Sequence, residues 1–311
     1  MLPYVTILGR TLGMYSVMAV IGIAFAVVFF VLNKKRTGFD AFGLALFGLI
    51  VFTGLLIGGH LLYGITQHDL IFRAFKNIGR LSFKDFFTVM AVAFGGNVFY
   101  GGLIGSFITI GVYLKVRKLG PERNAGILDV YSCAAPLFHA FGRVGCFFGG
   151  CCYGIESAFG FTAHGNEYSP DVNDVNRFPV QLLEASLNLL LFAFLVILLK
   201  KGVMKGNLMW IYGSIYPVIR FFDEFLRGDA IRGFVFGLST SQWISIFVFV
   251  LSVTMIIIRV SKKPAPAMPV PAQEESIQTT DESIQATDVP SSHLPETAPA
   301  TDISFNKIDT I

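Results

Sequence analysis

Two arginines in apolar segments are the residues of this sequence best suited to chemistry. Arg143 lies within the apolar stretch 127–148, and Arg220, with Glu224, lies within the stretch 207–226. A charged side chain inside a membrane costs about 3 kcal/mol on insertion scales, so each such group indicates a function. At a rise of about 1.5 Å per residue, the two arginines lie about 24 and 20 Å from the points where these segments begin. Guanidinium groups at similar depth can bind phosphate oxygens bidentately, which predicts a site for a phospholipid phosphate.

Part of this pattern has an ordinary structural explanation. Arg220 and Glu224 are four residues apart and share one side of a helix, so an intrahelical ion pair explains them as well as a ligand does. Glycines surround Arg143 at positions 142, 145, 149, 150 and 154. Helix packing accounts for one or two of them, whereas five indicate a shaped site that the backbone approaches closely.

Three of the four cysteines, Cys146, Cys151 and Cys152, lie close together in the sequence, and Cys133 lies apart from them. A metal site, a disulfide, or thiols that only pack against apolar neighbours can each explain this grouping. The spacing C-x4-C-C lacks the paired C-x2-C pattern of zinc modules, and the nearest histidines are not at ligand-like offsets. We therefore predict no metal and no cofactor, and we favour packing thiols over a disulfide.

The composition indicates the kind of protein that positions these residues. Of the 311 residues, 53% are apolar and 14% are charged, whereas soluble domains carry about 25% charged residues. We therefore predict an all-α polytopic membrane protein, because seven stretches are long and apolar enough, or nearly so, to cross about 30 Å of hydrocarbon. The seven predicted transmembrane helices lie near residues 14–32, 41–65, 88–114, 127–148, 182–199, 207–226 and 240–260.

The distribution of charge predicts the orientation and the domains. One alternate set of connections holds 13 Lys and Arg, and the other set holds 8. The positive-inside rule therefore places the N-terminus outside, the loop 149–181 outside and the C-terminus in the cytoplasm. Residues 264–311 are rich in Pro, Ser, Thr and Ala and hold eight acidic residues and one Lys. We expect them to form a disordered, acidic cytoplasmic tail that follows a membrane domain of residues 1–263.

Five separated segments resemble, in the correct order, the motifs of one known family. The segments are Y15-S-V-M-A-V-I-G, Y100-G-G-L-I-G, G-R143-V-G-C-F, F178-P-V-Q-L-L-E and R220-F-F-D-E-F-L-R-G-D. Each is weak alone, but together they make residues 10–260 resemble the prolipoprotein diacylglyceryl transferase family. Its members are seven-span bacterial enzymes that transfer a diacylglyceryl group from phosphatidylglycerol to the lipobox cysteine of a prolipoprotein.

The resemblance implies which residues react and which bind. Arg143 and Arg220 would stabilise the charge on the departing phosphate, Glu224 would orient Arg220, and Tyr100 stands at the position of a functional His. These four form the predicted catalytic set. The predicted substrate-binding residues are Tyr15, Gly101, Gly102, Arg143, Gly154, Gln181 and Glu184.

The chain also departs from the family pattern at positions that touch the chemistry. Tyr100 and Phe178 replace histidines, and Cys146 replaces the Asn of the Gly-Arg-x-Gly-Asn-Phe signature. A tyrosine of pKa about 10 is a poor proton acceptor at neutral pH. The residues that could accept the proton instead are His60, His139 and Glu184.

The resemblance implies partners and a location as well. The substrates would be phosphatidylglycerol and the lipobox cysteine of a prolipoprotein signal peptide, at a site facing the outer leaflet of the bacterial cytoplasmic membrane. We expect a multi-pass monomer and no nucleic-acid partner, since no basic stripe alternates with aromatic residues. Two other classes stay open: a relative that binds lipid or peptide without catalysis, and a thiol-redox or transport protein built around the cysteines.

Overall fold

A computed structural model of the chain describes residues 3–7, 9–167, 169–229 and 234–261. The predicted tail, residues 264–311, lies outside the described residues, so its disorder stays a prediction. Within the described ranges the chain forms ten α-helices and three two-stranded antiparallel sheets. The helices are α1 (Met14–Leu32), α2 (Lys34–Thr37), α3 (Ala41–Thr66), α4 (His68–Lys76), α5 (Phe83–Ala93), α6 (Phe99–Arg117), α7 (Pro121–Gly149), α8 (Val180–Lys201), α9 (Leu208–Asp223) and α10 (Thr240–Ser261). The sheets pair β1 (Tyr4–Ile7) with β2 (Arg10–Gly13), β3 (Glu156–Thr162) with β4 (Asn176–Arg177), and β5 (Phe234–Val235) with β6 (Leu238–Ser239).

Five of the described helices are long and apolar enough to cross a membrane, namely α1, α3, α6, α8 and α10. This finding confirms a polytopic, α-helical membrane protein. The predicted spans 127–148 and 207–226 coincide with α7 and α9, which differ from the other five. Helix α7 carries Asp129 and Arg143 among its buried residues, and α9 is 16 residues long. Both therefore lie among other helices, where their polar groups find protein partners.

The predicted third span, 88–114, is not one continuous helix. Helix α5 ends at Ala93, α6 begins at Phe99, and the backbone of Val98 is extended. The glycine pair Gly95–Gly96 lowers the helix propensity at this point. The interruption is held by α3, because Val98 donates its N–H to the carbonyl of Gly59 at 3.2 Å. A sequence window that averages hydropathy over the whole stretch does not register such a break.

Helix α7 is the centre of the bundle. It packs against α1, α8 and α9, and most of its residues from Gly126 to Gly149 are buried. Two further pairs, α3 with α6 and α9 with α10, form the other extensive helix contacts. Arg143 on α7 and Arg220 on α9 are thus carried by helices that contact each other and α8.

Glycines bring α3 and α6 into backbone contact. A Cβ atom added at Gly101 would collide with the carbonyl oxygen of Gly58, and one added at Gly105 would collide with that of Gly54. Small residues four positions apart on both helices allow this approach, as in other membrane helix pairs. The contact fixes α6, which carries Tyr100 in its first turn.

The close contact makes a prediction that two alanine substitutions on the same helix can check. Gly105→Ala should lower the thermal unfolding temperature in detergent, because the new methyl group overpacks the contact at a cost of about 1–3 kcal/mol. Gly111→Ala is the matched control, since no atom lies within 4 Å of a Cβ added there. Equal unfolding temperatures for the two variants would contradict the contact.

Candidate functional site

A buried carboxylate on α8 gathers polar groups from α7 and α9. Glu184 is 1% exposed, and its Oε2 lies 2.6 Å from Nη2 of Arg143. Its Oε1 lies 3.6 Å from Nε2 of His139 and accepts a hydrogen bond of 3.5 Å from the hydroxyl of Tyr216. Since burying a charge without a partner is very costly, Glu184 and Arg143 depend on each other.

The second arginine sits where α9 ends and α10 begins. Nη2 of Arg220 lies 2.5 Å from Oε2 of Glu224 and donates to Oγ of Ser241 at 3.2 Å. The ion pair expected between Arg220 and Glu224 is therefore present. Arg220 is also close enough to Glu184 and Arg143 to interact with both electrostatically. The two arginines thus belong to one buried group of charges.

Both guanidinium groups keep a buried N–H without a protein acceptor. Among the described residues, Nε of Arg143 and Nη1 of Arg220 are buried and make no hydrogen bond. Leaving a buried donor unpaired costs about 1–3 kcal/mol, and more for a charged group. Each arginine is therefore held by a carboxylate on one side and keeps a donor for an anionic ligand on another.

Tyr100 reaches the same group through α10. Its hydroxyl lies 2.5 Å from Oγ of Ser245. Because Oγ of Ser245 donates to the carbonyl of Ser241 at 2.8 Å, the tyrosine must be the donor to the serine. Tyr100 is buried, 3% exposed, and its proton is committed to this bond. In this arrangement the hydroxyl is a donor and does not serve as a proton acceptor.

The three candidate proton acceptors differ in position. Nδ1 of His60 bonds the carbonyl of Phe94 at 2.8 Å, so this histidine ties α3 to the break before α6. His139 stacks on Phe99 at 3.7 Å and faces Glu184. The structure therefore brings His139 and Glu184 into the charged group and leaves His60 outside it.

The remaining predicted binding residues occupy three further places. Gly101 and Gly102 lie at the contact of α6 with α3. Nε2 of Gln181 donates to the carbonyl of Cys151 at 2.9 Å, and Gly154 lies where a Cβ would collide with the carbonyl of Phe178. These two residues thus hold the segment between α7 and α8 against its neighbours. Tyr15, in the first turn of α1, is 52% exposed and packs against Gly145, two residues after Arg143.

Sequence reasoning missed several polar partners in the group. Ser241 and Ser245 on α10 connect Arg220 with Tyr100, and Asp223, 3% exposed, interacts electrostatically with Glu184 and Arg220. A signal existed for the serines, because they are four residues apart at the start of an otherwise apolar helix. The contact of Tyr216 with Glu184 had no such signal, since it joins two helices.

The three clustered cysteines meet just beyond α7. The sulfur atoms of Cys146, Cys151 and Cys152 lie within 4.8 Å of one another, and all three are free thiols. Hydrogen bonds from Cys146 and Cys151 hold the pKa of the Cys152 thiol well below its usual value. A hydrogen bond with Cys146 lowers the pKa of Cys151, but its bond to Cys152 and its burial together raise that pKa to about 11. Of the three thiols, Cys152 is therefore the one that loses its proton most readily.

The fold and this group define a class: a polytopic α-helical membrane protein that buries two arginines, each tied to a carboxylate and each with a further donor. The sequence profile of the prolipoprotein diacylglyceryl transferases matches residues 3–258. The chain belongs to this family.

Individual relatives agree with the profile. The chain is 32% identical over 244 residues to the phosphatidylglycerol–prolipoprotein diacylglyceryl transferase of Clostridium tetani (strain Massachusetts / E88), covering 77% of this chain and 90% of that relative. It is 31% identical over 253 residues to transferase 2 of Clostridium perfringens (strain 13 / Type A), covering 78% and 91%. A relative with the same transferase name in Helicobacter hepaticus (strain ATCC 51449 / 3B1) is 26% identical over 262 residues, covering 81% and 85%.

The central role of Glu184 predicts a large effect on stability. Glu184→Gln should destabilise the protein by about 3–5 kcal/mol, because it leaves Arg143 buried without its counter-charge. The matched control is Glu122→Gln, which breaks the exposed ion pair with Lys205 and should leave the unfolding temperature unchanged. Thermal unfolding in detergent measures both. An equally stable Glu184→Gln protein would show that the carboxylate is not needed to hold Arg143.

Proposed function

We propose that this protein transfers the diacylglyceryl group of phosphatidylglycerol to the lipobox cysteine of a prolipoprotein. The reaction forms a thioether and releases glycerol phosphate. The observation that carries the proposal is the pair of buried arginines, each with an unpaired N–H among the described residues, in a chain whose relatives bear this activity in their names.

The chemistry needs positive charge beside the phosphate. The cysteine sulfur attacks the glyceryl carbon, and the electrons of the breaking C–O bond move to the phosphate oxygen. Arg143 and Arg220 stabilise that charge where water is excluded, and preorganised donors are most effective there. Glu184 and Glu224 hold the two guanidinium groups in place, so no reorganisation is needed when the charge develops. Tyr15, beside Arg143, contacts the headgroup.

The proton of the attacking thiol goes to a group other than Tyr100. Since the Tyr100 hydroxyl donates to Ser245, it positions α6 against α10. His139, which faces Glu184, takes the role of proton acceptor in this proposal. A neutral imidazole carries a ring nitrogen that can accept a proton.

The proposed topology has seven spans, with α7 and α9 as the fourth and sixth. Its support is that predicted inner connections meet at one end of the helices. Arg123 donates to the carbonyls of Thr37 and Gly38, and Arg259 donates to that of Gly206. Basic residues gathered at one end are typical of a cytoplasmic face. The N-terminus and the cysteine cluster are then outside, and the site faces the outer leaflet of the bacterial cytoplasmic membrane.

The oligomeric state of the protein and the role of its C-terminal tail are also part of what we propose. The protein acts as a monomer, in which one chain supplies both arginines and their carboxylates. Four of the predicted binding residues act by positioning backbone that contacts the substrate. Gly101 and Gly102 position α6, and Gly154 and Gln181 position the segment between α7 and α8. Residues 264–311 take no part in catalysis. A lipid- or peptide-binding relative without catalysis is the second candidate, favoured by the donor role of Tyr100.

The arginine pair yields the first activity prediction. Arg143→Ala and Arg220→Ala should each lower transfer of labelled diacylglyceryl to a lipobox peptide by at least about 100-fold, the loss typical of a removed charge-stabilising donor. Arg117→Ala, at the exposed end of α6, is the control and should keep full activity. Retained activity in either site variant would contradict the phosphate role.

Tyr100, which stands in the place of the family histidine, is the subject of the second activity prediction. Tyr100→His should keep or raise transfer, because an imidazole accepts a proton at neutral pH and a phenol does not. Tyr131→Phe is the control, since Tyr131 is a buried tyrosine that bonds Ser106 away from the charged group. Complete inactivation of a stably folded Tyr100→His protein would show that the site has been rebuilt around the tyrosine.

A further inference from the structure

The three thiols beyond α7 have the geometry of a metal-binding set. Their sulfur atoms lie within 4.8 Å of one another. Three thiolates bound to one tetrahedral ion, with metal–sulfur bonds of about 2.3 Å, lie about 3.8 Å apart. Side-chain rotations that close the cluster by about 1 Å therefore suffice.

The backbone is shaped to bring these sulfur atoms together. The N–H of Cys151 bonds the carbonyl of Cys146 at 3.2 Å, so the chain turns back on α7 directly after Gly150. Cys152 has a φ of 56°, in the left-handed region that residues other than glycine rarely adopt. Such strained positions cluster at ligand clamps and active sites. The turn at Gly150 and Cys152 explains why the C-x4-C-C spacing, judged from the sequence alone, predicted no metal.

The surroundings favour an anionic cluster next to the phosphate site. Cys146 follows Arg143 by one helical turn, and both Arg143 and Arg227 interact electrostatically with Cys152. Three thiolates around a divalent ion carry one net negative charge, and Arg143 and Arg227, although paired with Glu184 and Asp229, are close enough to attract it. Cys151 and Cys152 are half-buried, so an ion and a substrate can reach them.

We propose that Cys146, Cys151 and Cys152 bind one thiophilic divalent cation of the Zn²⁺ class, and that its fourth coordination position takes the substrate thiol. Thiolates select such soft cations over Mg²⁺ or Ca²⁺. A tetrahedral ion with three protein ligands keeps one position open, as catalytic zinc sites do.

The second half of this inference rests on the proposed transferase function. On binding the cation, the lipobox thiol loses its proton to water at the half-buried cysteine cluster, because a coordinating thiol is deprotonated. The sulfur then forms a bond to the glyceryl carbon, the C–O bond to the phosphate breaks, and glycerol phosphate leaves with that electron pair. The cation would thus supply the thiolate in a chain whose family histidine is Tyr100.

Binding can be measured without any activity assay. Purified full-length protein in detergent, reduced and stripped with a chelator, should bind one equivalent of Co²⁺ with a thiolate-to-metal charge-transfer band, and Zn²⁺ should displace it. Cys146→Ser, Cys151→Ser and Cys152→Ser should each weaken binding by at least about 100-fold, more than the loss of an outer-shell partner. Cys133→Ser, whose thiol is buried elsewhere in α7, is the matched control and should bind like the parent protein.

A lipobox peptide distinguishes the parts of the proposal. The peptide with its cysteine should raise the charge-transfer band by roughly one third, since four thiolates replace three, and the same peptide with serine should not. The absence of the band, binding of Cu⁺ alone, or a Cys152→Ser variant that binds normally would overturn the metal site. Full transfer by chelator-stripped protein would overturn the role of the cation in the reaction while leaving the transferase function intact. A protein that binds the cation but transfers nothing when loaded with Zn²⁺ or Co²⁺ would leave the metal site standing and overturn the transferase function.

Discussion

The ion pair between Arg143 and Glu184 is the interaction on which the rest of the structure depends. Both side chains are more than nine-tenths buried, so neither charge can be left without the other. The pair joins α7 to α8, and Arg220 adds α9 to the same field. Any rearrangement of these three helices would expose an unpaired charge to an apolar interior, so the relative positions of the two arginines are strongly constrained.

The hydrogen bonding of the two constrained guanidinium groups is incomplete. One nitrogen of each guanidinium is satisfied by a carboxylate, and another buried nitrogen has no acceptor within the described part of the chain. A structural ion pair would use the most donors it could, because each unpaired buried donor is unfavourable. Under the proposed function, a bound phosphate would accept hydrogen bonds from these unpaired donors and remove that cost. The same carboxylates that hold the arginines also keep two like charges close together before the ligand arrives.

Much of the fold could be predicted from apolar length alone. The first, second, fifth and seventh predicted spans match α1, α3, α8 and α10 within about two residues, the usual uncertainty of helix ends. The third predicted span covers most of α6 and also a break at Gly95–Gly96, which α3 holds through a contact between distant segments. Helices α7 and α9 were also predicted from apolar length. Their buried polar residues are tolerated because they pair with side chains on other helices, which a local stretch of sequence cannot show.

The site was predictable to the extent that its groups share a helix. Arg220 and Glu224 are one turn apart, and their ion pair follows from spacing. The partner of Arg143 lies 41 positions along the chain, on α8, and the link from Tyr100 to Ser245 joins α6 to α10. The meeting of Cys146, Cys151 and Cys152 depends on backbone angles after Gly149 that residue types do not specify. Interhelical geometry, more than residue identity, was the missing information.

The most direct measurement of the central claim is an experimental structure of the protein in a lipid nanodisc with phosphatidylglycerol bound. The account predicts one lipid phosphate within about 3.2 Å of both Nε of Arg143 and Nη1 of Arg220, the ordinary length of such hydrogen bonds. A headgroup that contacts one arginine alone, or that binds elsewhere while both nitrogens stay buried and unpaired, would contradict it.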